Sequence, residues 1–133
     1  CFVQQKRGVT GYCHRIICAQ DYSAVTAACM MVKRKAYDDA GGLSEKLQVA
    51  FNDIDFCLKL QSAGYLVVYN PYAELYHYES KSRGLEDTPE KVARFNREIK
   101  TFEERWPEIL RDGDPYYNPN LTLDSQDFSL RRI

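Results

Sequence analysis

Asn52-Asp53-Ile54-Asp55 places two carboxylates at the head of a strongly marked helix. The helix dipole and the free N–H groups of a first turn favour the ionised carboxylate, by about 0.3–1 kcal/mol per charge. An ionised carboxylate on a rigid element can take a proton from an incoming hydroxyl, which makes Asp53 and Asp55 candidate acid–base residues. Acidic side chains are also common at helix starts for the dipole alone, so the local pattern leaves both readings open. Asp53-Ile54-Asp55 is, in addition, a literal D-x-D of the kind that can hold a divalent ion against a diphosphate. Such a pair normally ends an apolar strand. Here Leu47-Gln48-Val49-Ala50-Phe51-Asn52 precedes it and a helix follows, so that role is rejected.

His77 is one of two histidines, and Tyr78-Glu79-Ser80-Lys81-Ser82-Arg83-Gly84 follows it. A lone histidine at a strand end is more often structural than ligating. Directly beyond it, however, the hydroxyls of Ser80 and Ser82, the loop amides and Arg83 could fold around phosphate oxygens. No Walker or dinucleotide-type glycine pattern supports that loop independently. Cys13, His14 and Cys18 lack a second ligand pair and do not make a tetrahedral metal site. Five cysteines, at 1, 13, 18, 29 and 57, form no disulfide framework and read as reduced thiols of a cytoplasmic protein.

The elements that must carry these groups can be read from periodicity. Val25–Lys33 is a short apolar run, expected as a buried strand. Arg34–Ala40 should be a short helix stopped by Gly41 and Gly42, with a loop over Leu43–Phe51. Asn52 is the expected N-cap of the next helix, in which Ile54, Phe56, Cys57, Leu58 and Leu60 spread beyond one stripe and imply burial on more than one side. Gly64 ends it. Tyr65–Tyr69 and Ala73–Tyr78 are expected strands, separated by Pro71. Thr88-Pro89 opens a long helix whose stripe Val92, Phe95, Ile99, Phe102 and Trp106 suits a cover packed on the domain, limited or kinked by Pro107. The order is that of an α/β layer: a mixed short sheet with a buried helix bearing the carboxylates and a long C-terminal covering helix. Residues 1–24 should be loop-rich, and residues 112–133 an extended tail.

The chain has 133 residues with 44% apolar and 28% charged side chains, enough for one domain with a real core. Eighteen basic and nineteen acidic residues give a net charge of −1, which argues against a nucleic-acid binder. Charge is uneven: residues 1–35 carry a net +5 and residues 36–90 a net −6. No apolar run approaches the roughly twenty residues of a membrane helix, and Cys1–Val9 has no apolar signal-type segment.

The succession VTAACMMVKRKAY, DDAGGLSEKL, FNDIDFCLKLQSAGYLVVY and NPYAELYHYESKSRG resembles the C-terminal half of family 2 glycosyltransferases with a GT-A fold, especially bacterial enzymes of rhamnose-type and O-antigen polysaccharides. The match is strong over some 60 residues, Val25–Gly84, and the tail (TPEKVARF, RW, DPYYNPNL, DFSL) is similar to that of one bacterial subgroup. The resemblance implies a partial GT-A-like fold and an inverting transfer from a nucleotide-sugar donor to a glycan acceptor. The family's acidic pair, usually Glu-Asp, falls on Asn52-Asp53, so Asp53 is the implied base and Asn52 a changed neighbour. Asp55 matches an acidic position that helps shape the acceptor site. His77 matches a histidine that helps hold Mg²⁺ or Mn²⁺ on the donor diphosphate, and Ser80, Ser82 and Arg83 match the loop approaching it. Gly41-Gly42-Leu43-Ser44-Glu45 matches a GG(F/L)xE segment, with Ser44 in place of the commoner Asp or Asn. Among the clustered tyrosines, Tyr72 is the expected sugar contact. The family's nucleotide-binding layers and metal-binding D-x-D have no counterpart here, so the 133 residues are expected to be a fragment, inactive alone. A lipid-linked acceptor would bring it near a membrane surface. A contrasting expectation is a non-catalytic module that forms a homodimer through the Val92–Trp106 stripe.

Overall fold

The computed structural model describes residues 6–76, 88–125 and 127–132. Two short strands, β1 (Gln20–Asp21) and β2 (Val68–Tyr69), pair antiparallel with Gln20 opposite Tyr69 and Asp21 opposite Val68. Four helices are present among the described residues: α1 (Arg34–Asp39), α2 (Asn52–Ser62), α3 (Pro89–Arg105) and α4 (Pro107–Asp112). Helix α2 is the hub. One of its faces gives Phe56, Cys57 and Leu60 to a cluster with Ala36 and Val67; the other gives Leu58 to a cluster with Leu47 and Phe102. The spread of apolar residues around α2 has this cause.

Three features follow their local chemistry. Gly41 and Gly42 end α1 in the left-handed region, at φ 71° and 65°, which side chains with a Cβ avoid. Thr88 caps α3 by accepting the Lys91 N–H, with Pro89 at the first helical position. Pro107 cannot donate to the ladder, so the chain breaks at Trp106 (φ −124°, ψ 49°) and restarts as α4. The stripe of α3 is used unequally. Phe102 is buried and Ile99 and Trp106 are half-buried, whereas Val92 and Phe95 are 44% and 39% exposed.

The expected strands need correction. Val25–Lys33 is not a strand. Thr26 Oγ1 accepts the Ala28 N–H and closes a 3₁₀ turn over Ala27–Cys29, and the following Met30 is extended without a described ladder partner. Val25, Met30 and Val32 still pack on the α1–α2 cluster, while Met31 points wholly to solvent. Small Ala27 and Ala28 have little β preference to oppose the turn. The strand expected at Tyr65–Tyr69 shrinks to Val68–Tyr69, because Tyr65 still serves the end of α2 by donating its N–H to Leu60 O. Ala73–Tyr76 is irregular, and residues 77 and 78 of that expected strand lie outside the described residues. The loop-rich start in turn holds β1 and a 3₁₀ turn, Tyr12–His14. The described residues of the tail form turns, with a bridge between Leu121 and Leu130.

Candidate functional site

The first turn of α2 is built by its neighbours rather than by its own cap. Phe51, not Asn52, occupies the cap position, in the left-handed region at φ 63° and ψ 1° with no side-chain cap bond. That conformation costs a non-glycine residue roughly 1–2 kcal/mol, which must be offset locally. The Phe51 ring packs against Phe95 and Phe102 of α3, at centroid distances of 5.7 and 5.3 Å. The buried carboxylate of Glu98, between them on the same helix, accepts the N–H groups of Val49 (3.3 Å) and Ala50 (2.7 Å).

Asn52 is tied to the preceding loop. Its side-chain amide donates to Ser44 O (3.0 Å) and Leu47 O (2.6 Å), and its oxygen accepts the Ser44 N–H (2.9 Å). A carboxylate in this place could accept but not donate. The Asn found where the resemblance has Glu therefore has a local physical reason: two carbonyls face the side chain.

Asp53 is half-buried. One oxygen accepts the Ala27 N–H at 3.2 Å and the other the Ile54 N–H at 3.0 Å, so the carboxylate is oriented by the 3₁₀ turn. Each oxygen has a second lone pair. Burial pushes the thiol of Cys57, one helical turn on, above its ordinary range; its contact with Val25 O lowers it in part, and the charge of Asp53 raises it further.

Asp55 is placed differently. It has no exposed surface. Oδ1 accepts from Arg105 Nη1 (2.7 Å) and Trp106 Nε1 (3.0 Å). Lys59 Nζ lies 3.4 Å from Oδ2, but donates its aligned hydrogen bond to Gly42 O, leaving Oδ2 compensated in charge without an aligned donor. In this arrangement Asp55 joins α2 to the α3–α4 break and is enclosed by protein. Asn52, Asp53 and Asp55 thus share one turn with three distinct settings.

Of the other expected site residues, Tyr72 alone lies among the described residues. Tyr72 is 90% exposed beyond β2, and its backbone N–H donates to Asn70 Oδ1. His77, Ser80, Ser82 and Arg83 lie outside the described residues. No group of three His, Cys, Asp or Glu side chains among the described residues could hold a metal ion. Two concavities, of about 310 Å³ in the tail and about 410 Å³ between α2 and α4, are not lined by Asn52, Asp53 or Asp55. Glu98, Arg105 and Trp106 had no part in the sequence-based site. Glu98 could have been noticed as a carboxylate three residues from Phe95 and four from Phe102, embedded in an apolar stripe, where an acid needs a partner.

Comparison with known proteins gives the following. The chain is 56% identical over 121 residues, 90% of its length, to a Sinorhizobium fredii protein named only as uncharacterized protein y4gI, of which the match covers 13%. It is 35% identical over 113 residues, 85% of its length, to the O-antigen biosynthesis protein RfbC of Myxococcus xanthus, covering 8% of that protein. Over 60 residues, 45% of its length, it is 35% identical to the N-acetylglucosaminyl-diphospho-decaprenol L-rhamnosyltransferase of Mycobacterium tuberculosis, covering 20% of that enzyme. The chain thus spans only a small part of the relatives it matches, and is related over part of its length to a named glycosyltransferase. No family model and no solved structure matches. No helix among the described residues is long and apolar enough to cross a membrane.

Proposed function

We propose that this chain is the acceptor-side, base-bearing portion of an inverting, family 2-type glycosyltransferase with a GT-A fold, acting in bacterial polysaccharide synthesis. The observation that carries the reading is the Asp53 carboxylate: half-exposed, oriented by two backbone amides, and set in the first turn of a buried helix. Relatedness to a rhamnosyltransferase and an O-antigen biosynthesis protein supports it.

In this mechanism Asp53 accepts the proton of an acceptor sugar hydroxyl as the oxygen attacks the anomeric carbon. The bond from that carbon to the nucleoside diphosphate breaks with inversion, and the leaving diphosphate takes the electron pair. General-base assistance of this kind contributes about 10²- to 10⁴-fold. Enclosed Asp55 holds the turn rather than touching substrate, and Asn52 fixes the loop before it. The flat, exposed ring of Tyr72 offers a face for a sugar, and Ser80, Ser82 and Arg83 offer donors for the diphosphate. Mg²⁺ or Mn²⁺ would ease departure of the diphosphate, with His77 as the ligand this chain would contribute. The described residues provide no cluster for the ion. Cytoplasmic action on a lipid-linked acceptor at the membrane surface completes the proposal.

The test is Asp53→Asn in a transferase that carries this segment, measuring labelled sugar transfer and, separately, nucleotide-sugar binding by calorimetry. Transfer should fall by about 10²-fold or more while donor affinity stays within a factor of about two of the parent. Retained transfer would refute the base assignment. As a control, the 133 residues alone should turn over no nucleotide sugar, and turnover by them would refute the reading of this chain as a portion.

A further inference from the structure

Helix α3 reaches the base turn at three places, each with a different kind of contact. Phe95 and Phe102 hold the ring of Phe51, and Arg105 pairs with Asp55. Between them Glu98, 2% exposed, turns its carboxylate away from water onto the amides of Val49 and Ala50. A buried carboxylate is costly to desolvate unless it is paired and hydrogen-bonded. Arg94, one turn earlier, lies 3.9 Å away and supplies charge compensation, while the loop amides supply the hydrogen bonds. These two amides immediately precede Phe51, the left-handed residue from which α2 starts and whose carbonyl accepts the Asp55 N–H at 2.8 Å. Two N–H groups converging on one carboxylate fix the direction of the 49–51 backbone. That backbone leads directly into Asn52 and Asp53, the first two residues of α2.

We propose that Glu98 is a positioning residue for Asp53: from inside α3 it clamps the Val49–Ala50 amides and so holds the strained Phe51 turn in the geometry that aims the base. This rests on the reading of Asp53 as the base, but the clamp itself can be measured without any activity. Glu98 touches no reacting atom and acts only through the backbone of residues 49–51.

The experiment compares Glu98→Gln and Glu98→Asp by two readouts. The first is amide hydrogen exchange in the 133-residue chain. Gln keeps the size of the side chain but replaces one acceptor by a donor facing an N–H, so exchange at Val49, Ala50 and Asp55 should quicken about tenfold, the gap between a charge-assisted and a neutral hydrogen bond. Exchange at Ala40, at the end of α1, should stay unchanged. Glu98→Asp, one methylene shorter, should give a smaller rise confined to the same amides. Unchanged exchange at Ala50, or a uniform rise through the chain, would overturn the clamp. The second readout is transfer by a transferase carrying the segment. Glu98→Gln should lower kcat about tenfold with KM for the nucleotide sugar unchanged, partly restored by Glu98→Asp. A rise in KM at constant kcat would overturn the positioning role. If Asp53→Asn leaves transfer intact while Glu98→Gln frees the three amides, the base assignment falls and the clamp stands, so the two failures are distinguishable.

Discussion

Replacing Asp55 by Ala should destabilise the chain by about 3 kcal/mol, at the lower end of the 3–5 kcal/mol expected for breaking a buried ion pair from one side. The structure sets the placement within that range. Asp55 has no exposed surface, and its Oδ1 holds both the Arg105 guanidinium, at 2.7 Å, and the Trp106 indole N–H, at 3.0 Å. Truncation strips both donors of their acceptor. Arg105 is 33% exposed on its side chain and recovers water, which lowers the cost; half-buried Trp106 and Lys59, 21% exposed, recover less. A domain of this kind has roughly 5–15 kcal/mol of total stability, so the loss is a large share. Urea unfolding measures it well, because Trp106 is the chain's one tryptophan and sits in the contact being broken. With a slope of about 2 kcal/mol per molar urea, the midpoint should fall by about 1.5 M at unchanged slope. A cycle with Arg105→Ala should return a coupling of about 1.5 kcal/mol, in the range found for contacting residues. A coupling below about 0.5 kcal/mol, or a midpoint shift smaller than about 0.3 M, would show that the buried pair does not tie α2 to the α3–α4 break.

Two further outcomes follow from the backbone and from charge. A Cβ on Gly42, at φ 65°, would lie 2.9 Å from atoms of the Tyr37 ring, which is itself packed on Phe56, whereas one on Gly41, at φ 71°, meets nothing within 4 Å. Gly42→Ala should therefore cost about 2–3 kcal/mol and Gly41→Ala about 1 kcal/mol, a difference visible in their melting temperatures; equal shifts would contradict the close approach. In the tail, the Ser125 hydroxyl and the Ser129 N–H hold the Asp127 carboxyl down at about 2. A depressed carboxyl stabilises its fold above the unfolded value, near 4, and loses that contribution as pH falls towards 2. The Leu121–Leu130 bridge should persist at pH 5 and loosen between pH 4 and 2, followed by the Ser129 amide shift in NMR; a shift already complete above pH 5 would contradict it.

The parts of this fold set by local rules could be read along the chain. Thr88-Pro89 opens a helix whatever surrounds it, Gly41-Gly42 closes one, and Pro107 interrupts one, because each acts through its own backbone. The strands could not be read in this way. Val25–Lys33 is as apolar as a buried strand, but Thr26 folds its start into a turn, and that competition between a side chain and a ladder is invisible to a hydrophobic pattern. The first turn of α2 lies between these cases. Its carboxylates and its helix were evident, whereas the difference between Asp53 and Asp55 depends on Arg105, Trp106 and Glu98, some fifty residues away, and no local pattern links positions so far apart. Asn52 shows the same limit: a good capping residue by type, it bonds backward to Ser44 and Leu47, and Phe51 takes the strained cap position instead.

That backward bonding bears on how the first turn of α2 could be moved between proteins. The two carbonyls that receive the Asn52 amide belong to Ser44 and Leu47, and the amides gripped by Glu98 belong to Val49 and Ala50. A four-residue graft of Asn52–Asp55 would arrive with its donors facing nothing and without the left-handed Phe51 from which the helix starts. A portable unit would have to run from Ser44 to Asp55 and bring with it the Ala27 turn that holds Asp53 and the α3 residues Glu98, Phe102 and Arg105 with Trp106 after them, so residues distant in sequence would have to be exchanged as one block.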